Sequence, residues 1–305
     1  MKEDSTVKAT CPRCYSGYAM KRGTKRGKQR LQCKNCGKWY AEDIKLHAIR
    51  VPKVLCFDIE TLPMKLYAWD LYPHFYSPDN IIQDYTILSW SAKWLFDDKV
   101  YGEILTSEEA LARDDLRIVA SMWKMLNEAD IVIGHNANKF DVRKLNTRFL
   151  YHRFDPPSRY QVIDTWKAAK DRFGFSSNKM DWINRYLELN TKMDTDFDLW
   201  IACDKGEKVA LKTMIEYNKY DVLILEEMYV RLRSWIPAHP NMNVYTTTDE
   251  TGCPVCGTKD IVVGGVYATP VNLYRAFRCS NCGTIGRSSH SDLITQKRKN
   301  MVRVT

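Results

Sequence analysis

The stretch Val51-Pro52-Lys53-Val54-Leu55-Cys56-Phe57-Asp58-Ile59-Glu60-Thr61 reads as a buried strand that ends in two carboxylates. Side chains alternate across a strand. Asp58 and Glu60 therefore share a face with Val54 and Cys56, while Leu55, Phe57 and Ile59 cover the other. Two desolvated like charges cost on the order of several kcal/mol, and a divalent cation is the direct compensation. Acid-x-acid at a strand end aims two oxygen ligands at one ion.

Further carboxylates follow at telling places. Tyr85 to Trp94 and Val100 to Leu105 read as strands, rich in aromatic and branched residues. Leu111 to Leu126 has helical spacing, through Leu116, Val119, Met122, Trp123 and Leu126. Ile131-Val132-Ile133-Gly134 is a short buried strand that runs into His135-Asn136-Ala137-Asn138-Lys139-Phe140-Asp141. A helix then presents Val142, Leu145 and Phe149 on one face, with Pro156-Pro157 beyond its end. Gln161 to Thr165 is a further strand, and helical segments run on to Arg233, the last from about Val209. Strands first, then strand-helix alternation, predict an α/β fold: a mixed sheet with helices on both faces. Asp141 opens a helix that leaves a buried strand, the usual place for site residues in α/β folds. Tyr217 and Asp221 stand at i and i+4, on one helical face. His135 either touches phosphate or caps its strand end, and Asp164 stands behind the ligands. Asp194, Asp196 and Asp198 lack the glycine and terminal glutamate of a calcium loop, and read as a solvated loop.

The ordered motifs Asp58-Ile59-Glu60, Asn136-x3-Phe140-Asp141 and Tyr217-x3-Asp221 resemble those of DEDD-type 3′–5′ exonucleases of the ribonuclease H-like superfamily. The tyrosine variant fits, since no histidine lies between His152 and His239. Over roughly residues 51–235 the likeness is to the proofreading exonuclease domain of B-family DNA polymerases. The resemblance implies a ribonuclease H-like mixed sheet with flanking helices. It also implies two Mg2+ or Mn2+ ions ~3.5–4 Å apart on an all-oxygen site. By resemblance, Asp58 bridges the ions, Glu60 and Asp221 complete one site, and Asp141 serves the other. Tyr217 orients water, since a phenol near pKa ~10 is a poor base at neutral pH. Thr61 and Leu62 match positions that contact and wedge the terminal nucleotide, and Asn136 and Phe140 match the substrate side of their motif.

The chain's 305 residues suggest about two domains with an ample core. Eight of its ten cysteines form two pairs of C-x2-C knuckles: Cys11, Cys14, Cys33 and Cys36, then Cys253, Cys256, Cys279 and Cys282. Intervals of 18 and 22 residues between knuckles predict two four-thiolate zinc ribbons, hence two structural Zn2+. Cys56 and Cys203 read as small core residues. Gly37 and Gly283 let a knuckle turn tightly around the metal. The expected division is residues 1–45, 51–236 and 245–305.

Charge follows this division. Residues 1–50 hold 13 basic against 4 acidic side chains, and residues 251–305 hold 8 against 2, around a middle of net −6. Basic ends suggest a polyanion partner, or merely an unevenly charged surface. Between the first knuckles, Gly23 and Gly27 shape a basic run into a hairpin tip where Arg22, Lys25, Arg26 and Lys28 suit a phosphate backbone. Tyr18, Trp39 and Tyr40 stack on bases or form the ribbon's core. The ribbon loosely resembles those of some transposases and phage proteins.

No run reaches ~18 apolar residues, and Met1 to Ser5 lack a signal-peptide core. A reducing, cytoplasmic setting in a prokaryotic or phage-infected cell is expected, with no membrane partner. The expected activity is metal-dependent 3′–5′ exonucleolysis that releases nucleoside 5′-monophosphates, from single-stranded DNA ahead of RNA. The alternatives are an RNA exonuclease with the same site, or a nucleic-acid-binding or replisome-docking protein that uses the fold as a scaffold. A replication or repair protein could dock on a ribbon.

Overall fold

The computed structural model describes residues 6–8, 11–14, 16, 18–25, 28–43, 51–71, 75–245 and 251–302. The chain divides into two compact units, Met1–Arg50 and Val51–Thr305.

The first unit is an antiparallel sheet in the order β1-β2-β3-β4, from Thr6–Lys8, Tyr18–Lys25, Lys28–Cys33 and Trp39–Asp43. Cys11, Ala19, Leu31 and Cys33 are buried, so the tetrad replaces most of the apolar core that so small a sheet cannot build. The hairpin closes between Lys25 and Lys28. Gly23 is not part of its tip: it sits at a register shift inside β2 with φ +75°, where a residue tolerant of left-handed backbone is needed. Gly27 lies outside the described residues.

The second unit opens with β5 (Val54–Leu62), then the short pair β6 (Lys65–Leu66) and β7 (Ile81–Gln83), then β8 (Thr86–Trp94) and β9 (Val100–Ile104). Helices α1 (Ser107–Ala112) and α2 (Leu116–Glu128) precede β10 (Ile131–Gly134) and α3 (Asp141–Tyr151). Next come β11 (Gln161–Asp164), α4 (Thr165–Arg172), α5 (Met180–Tyr186), α6 (Phe197–Asp204) and α7 (Lys208–Leu232). The five-stranded sheet has the order β11-β10-β5-β8-β9. Its first two pairings are parallel and its last two antiparallel. This is the mixed, ribonuclease H-like α/β arrangement that the sequence predicts, with β5 at its centre.

The two faces of β5 divide as the alternation requires. Leu55, Phe57 and Ile59 join a core with Ile118, Val119, Met122, Leu145 and Phe149 of α2 and α3. Val54 and Cys56 pack with Ile133, Ile163 and the α7 residues Val222, Leu225 and Met228. Cys56 and Cys203 are fully buried thiols.

One helix expected over 111–126 is two. Thr106 and Glu109 make a capping box that starts α1 early, and Arg113 ends it in the left-handed conformation, φ 53°. Leu111 consequently points outward, 64 % exposed. Asp115, between the helices, is buried and accepts from Arg148, His152 and the Ile87 amide. The acidic run 194–198 also gains structure: Asp196 caps α6 through the Leu199 amide, and Asp198 lies in its first turn.

The C-terminal cysteine module comprises β12 (Ile261–Thr269), β13 (Asn272–Cys279), β14 (Ile285–Arg287) and α8 (Thr295–Lys299). It shares a compact unit with the central domain, so the three expected segments make two units. The joint is visible at Met242, whose amide donates to the Pro254 carbonyl and whose side chain is buried in the α7 core. Among the described residues no helix is long and apolar enough to cross a membrane.

Candidate active site

β5 pairs with β8 so that Asp58 faces Ser91 and Glu60 faces Ser89, and the register slips just after Glu60. That bulge ends the regular ladder where the carboxylates need room. Asp58, Glu60 and Asp221 bring carboxylate oxygens within 4.8 Å of one another. The Asn218 amide donates to Asp58 Oδ2 at 2.8 Å and accepts from Ser89 Oγ at 3.1 Å, which fixes the Asp58 rotamer from a fully buried position.

Asp141 arrives from the other side. Its Oδ1 accepts the Ile59 amide at 3.2 Å, beyond the point where β10 ceases to pair with β5. The loop that delivers it is held by Asp164, whose carboxylate accepts the amides of Asn136, Asn138, Trp166 and Lys167. Asn136 adopts φ 68°, a conformation asparagine tolerates. A Cβ at Gly134 would meet Ala137 Cβ at 2.6 Å, so this turn requires glycine there.

Tyr217 and Asp221 lie one turn apart on α7. Tyr217 is buried, with its ring against Trp200 at 5.9 Å. Lys192 completes the group: its ammonium donates to Asp221 Oδ2 and to the Tyr217 hydroxyl, 3.1 Å away. Lys192 comes from the segment between α5 and α6, where no periodicity marks it. Asp221 Oδ1 is buried with no hydrogen-bond partner.

The electrostatics follow from this crowding. Burial, then Asp141 and Asp221, raises Asp58 well above the carboxylate range. Burial pushes Glu60 up to about 7 against the opposing pull of Lys192. Burial also raises Asp141 to about 7, though the amides of Asp141 and Ile59 oppose it. Asp221 is raised by burial and held back by Lys192. Tyr217 is pushed up to about 12 by burial and Asp221, so its phenol keeps its proton at neutral pH. Four carboxyl groups thus crowd one ammonium, and an Asp221 oxygen is left without a partner. Such an all-oxygen set fits a hard divalent cation.

The other expected site residues are scattered. Thr61 continues β5, whereas Leu62 is fully buried in the core and offers no surface to a base. Phe140 is 38 % exposed and lines the cleft with Asn136. His135 is neutral: burial lowers it to about 4, its Nε2 donates to the Asn178 carbonyl, and Nδ1 lies 3.0 Å from Thr165 Oγ1. It therefore ties β10 to neighbouring segments. In the first unit Arg22, Lys25 and Lys28 are exposed on the hairpin, with Arg22 donating to Gln32; Arg26 lies outside the described residues. Tyr18 and Trp39 are exposed, and Arg30 covers the Trp39 ring at 4.9 Å.

Both cysteine tetrads gather their sulfurs within 4.8 Å. Cys11–Cys36, Cys14–Cys33, Cys253–Cys282 and Cys256–Cys279 each stand at 3.6 Å. The modules share a device that spacing alone did not reveal. Asn35 and Asn281, each just before a knuckle's last cysteine, donate across to Cys14 and Cys256. The Cys36 amide pulls the Cys33 thiol down to about 6. Both tetrads could bind zinc.

The five-stranded mixed sheet with its flanking helices is a ribonuclease H-like fold, and it carries a carboxylate cluster. Residues 98–233 match the sequence model of the RNase_H superfamily, which leaves Asp58 and Glu60 upstream of the match. No curated protein matches the chain. Among solved structures, the family B DNA polymerase from the hyperthermophilic archaeon Pyrobaculum calidifontis is similar at 15% identity and a TM-score of 0.44. That likeness covers 76% of this chain and 32% of the polymerase, so the chain spans about a third of its length.

Proposed function

We propose that the protein is a metal-dependent 3′–5′ exonuclease that acts on single-stranded DNA and releases nucleoside 5′-monophosphates. The observation that carries the reading is the meeting of Asp58, Glu60 and Asp221, with a buried Asp221 oxygen left without a partner. The polarity rests on the resemblance of the three motifs to the tyrosine-type exonucleases. Asp58, Glu60, Asp141 and Asp221 would hold two Mg2+ or Mn2+ ions, which supply an activated water and charge stabilisation at the leaving oxygen. Asn218 holds Asp58 in one rotamer, and the Ile59 amide does the same for Asp141. Tyr217, protonated at neutral pH, donates a hydrogen bond and orients water rather than removing its proton. Lys192 positions both Tyr217 and Asp221 through one ammonium.

The cysteine tetrads, each with one Zn2+, would hold the ribbons, and the first would present its basic hairpin to the phosphate backbone. Digestion of matched 5′-labelled single-stranded DNA, single-stranded RNA and duplex DNA, with Mg2+ or Mn2+, tests the reading. A ladder that shortens from the 3′ end on single-stranded DNA supports it. Preferential digestion of RNA would move the substrate, and no digestion of any polymer would leave a binding or docking protein.

A further inference from the structure

The cleft has a rim that the proposed chemistry does not use. Asp58, Glu60 and Asp141 line a space of about 450 Å3 together with Phe140, Trp166 and Lys192. Trp166 stands in the first turn of α4, half-buried, and lines that space. Two lysines attend it: Lys139 Nζ lies 5.4 Å and Lys170 Nζ 5.0 Å from the ring centroid. Both lysines are exposed, and neither forms a salt bridge among the described residues. Phe140, which lines the same space, carries Lys144 over its ring at 5.1 Å, and the same ammonium lies 3.4 Å from the Tyr85 ring centroid.

An indole at the mouth of an acidic cleft, flanked by lysines without carboxylate partners, has no role in holding the carboxylates. Burial of the core does not account for it either, because the ring is only partly covered. Flat aromatic faces with interleaved cations are the elements that bind unpaired nucleic acid: bases stack on the rings and phosphates meet the ammonium groups. A base within a duplex has both faces covered, so such a platform selects for an unpaired one. We infer that Trp166, with Lys139 and Lys170, is a stacking subsite for an unpaired base of the strand whose end enters the carboxylate cleft. The nuclease reading supplies only the identity of the polymer. The lysines exchange their contact with the ring for the phosphates on either side of the stacked base.

The test places 2-aminopurine in turn at each of the last four positions of a single-stranded oligonucleotide. Full-length protein carrying Asp58→Asn is used so that the strand survives. Stacking on Trp166 quenches the probe at one position. In the same background, Trp166→Ala should abolish that quench and weaken binding by about 5- to 100-fold, the range for one lost base–aromatic stack. Trp166→Phe should restore most of both. Lys139→Ala with Lys170→Ala should flatten the slope of log affinity against log salt by about 1.4 on single strands. Affinity for a blunt hairpin duplex should change by less than about 2-fold. An unchanged quench in Trp166→Ala overturns the subsite. So does an equal loss on single-stranded and duplex DNA, or a failure of Trp166→Phe to rescue, either of which makes Trp166 a folding residue. Digestion by the unaltered protein, run in parallel, separates the two readings. Cleavage without Trp166-dependent stacking sinks the subsite alone, and stacking without cleavage sinks the nuclease.

Discussion

The cysteine tetrads and the carboxylate cluster are both arranged for metal, and they differ in how complete they are. In each tetrad four soft ligands converge from two knuckles, and an asparagine amide already solvates a sulfur. Nothing is left over for a substrate, which is the mark of a closed, structural centre. In the carboxylate cluster the ligands are hard and one oxygen is orphaned, while a lysine shares the space. That centre is crowded without metal, and on the proposed reading it would stay open to substrate with it. Closed sites put their binding energy into folding, whereas open ones keep it for chemistry. The tetrads differ between themselves as well: the first closes its own compact unit, and the second is joined to the central domain through Met242 and Pro254.

The largest effect should come from breaking a closed centre. A structural zinc contributes roughly 10–16 kcal/mol to folding of its module. Elemental analysis should find about two zinc ions per chain. Cys33→Ser should remove one and unfold only the first unit, leaving the central domain's melting transition in place. Cys279→Ser should remove the other and also lower the central transition, because its module is joined to the α7 core through Met242 and Pro254. Identical melting behaviour for the two variants would erase the distinction between the tetrads.

Asp58→Asn probes the open centre. It keeps an acceptor for the Asn218 amide and removes one ionisable group from the crowd. Activity should fall about 1000-fold or more, since a metal ligand is lost. Without divalent metal the variant should melt at or above the temperature of the unaltered protein, and with Mg2+ below it. Loss of stability in both conditions would mean that Asp58 serves the fold. Tyr217→Phe should act more gently, lowering the single-turnover rate by about 10- to 1000-fold while metal affinity holds. An unaltered rate would reduce the phenol to packing against Trp200.

The contrast explains what the sequence could reveal. A tetrad is encoded as two local C-x2-C units, so spacing alone announces it. The Asp58 strand is legible for the same reason: a period of two writes two buried faces into nine residues and puts both carboxylates on one of them. Asp141, Tyr217 and Asp221 were readable because each sits at the start of a helix or on one helical face. Lys192 was not. It lies in an irregular segment between α5 and α6, 25 positions before the tyrosine it touches, and only the tertiary fold brings it in. Asn218 escaped although it sits between two candidates, because its importance depends on Ser89 and Asp58 across the sheet. The break at Arg113 and the burial of Leu62 also depend on neighbours remote in sequence. Helical periodicity ran through the first, and nothing local distinguishes a wedge from a core leucine in the second.

The smallest effect is one of pH, and its sign separates the open centre from ordinary carboxylates. Asp141 stands near 7 in the folded protein against an ordinary value of 3.8, with burial the main cause. Glu60 also stands near 7. Between those limits the folded chain holds protons that the unfolded chain has released. The stabilising contribution is therefore complete below the unfolded value and is lost as pH rises through about 7. A salt-bridged carboxylate with a depressed value behaves in the opposite way. Asp141→Asn removes this titration while keeping an acceptor for the Ile59 amide. In buffer freed of Mg2+ and Mn2+, with zinc retained, the unaltered protein should lose stability relative to the variant between pH 5.5 and 7.5. The slope should be at most about 1.4 kcal/mol per pH unit for each proton released. That range keeps the cysteine centres away from acid, where protonation of thiolates would add its own effect. Saturating Mg2+ at pH 7.5 should reverse the order, because only the unaltered site regains the energy of its charges by binding the ion. A stability difference that stays flat with pH would show that Asp141 is already neutralised by its amides and Lys192, and the centre would then be less open than its orphaned oxygen implies.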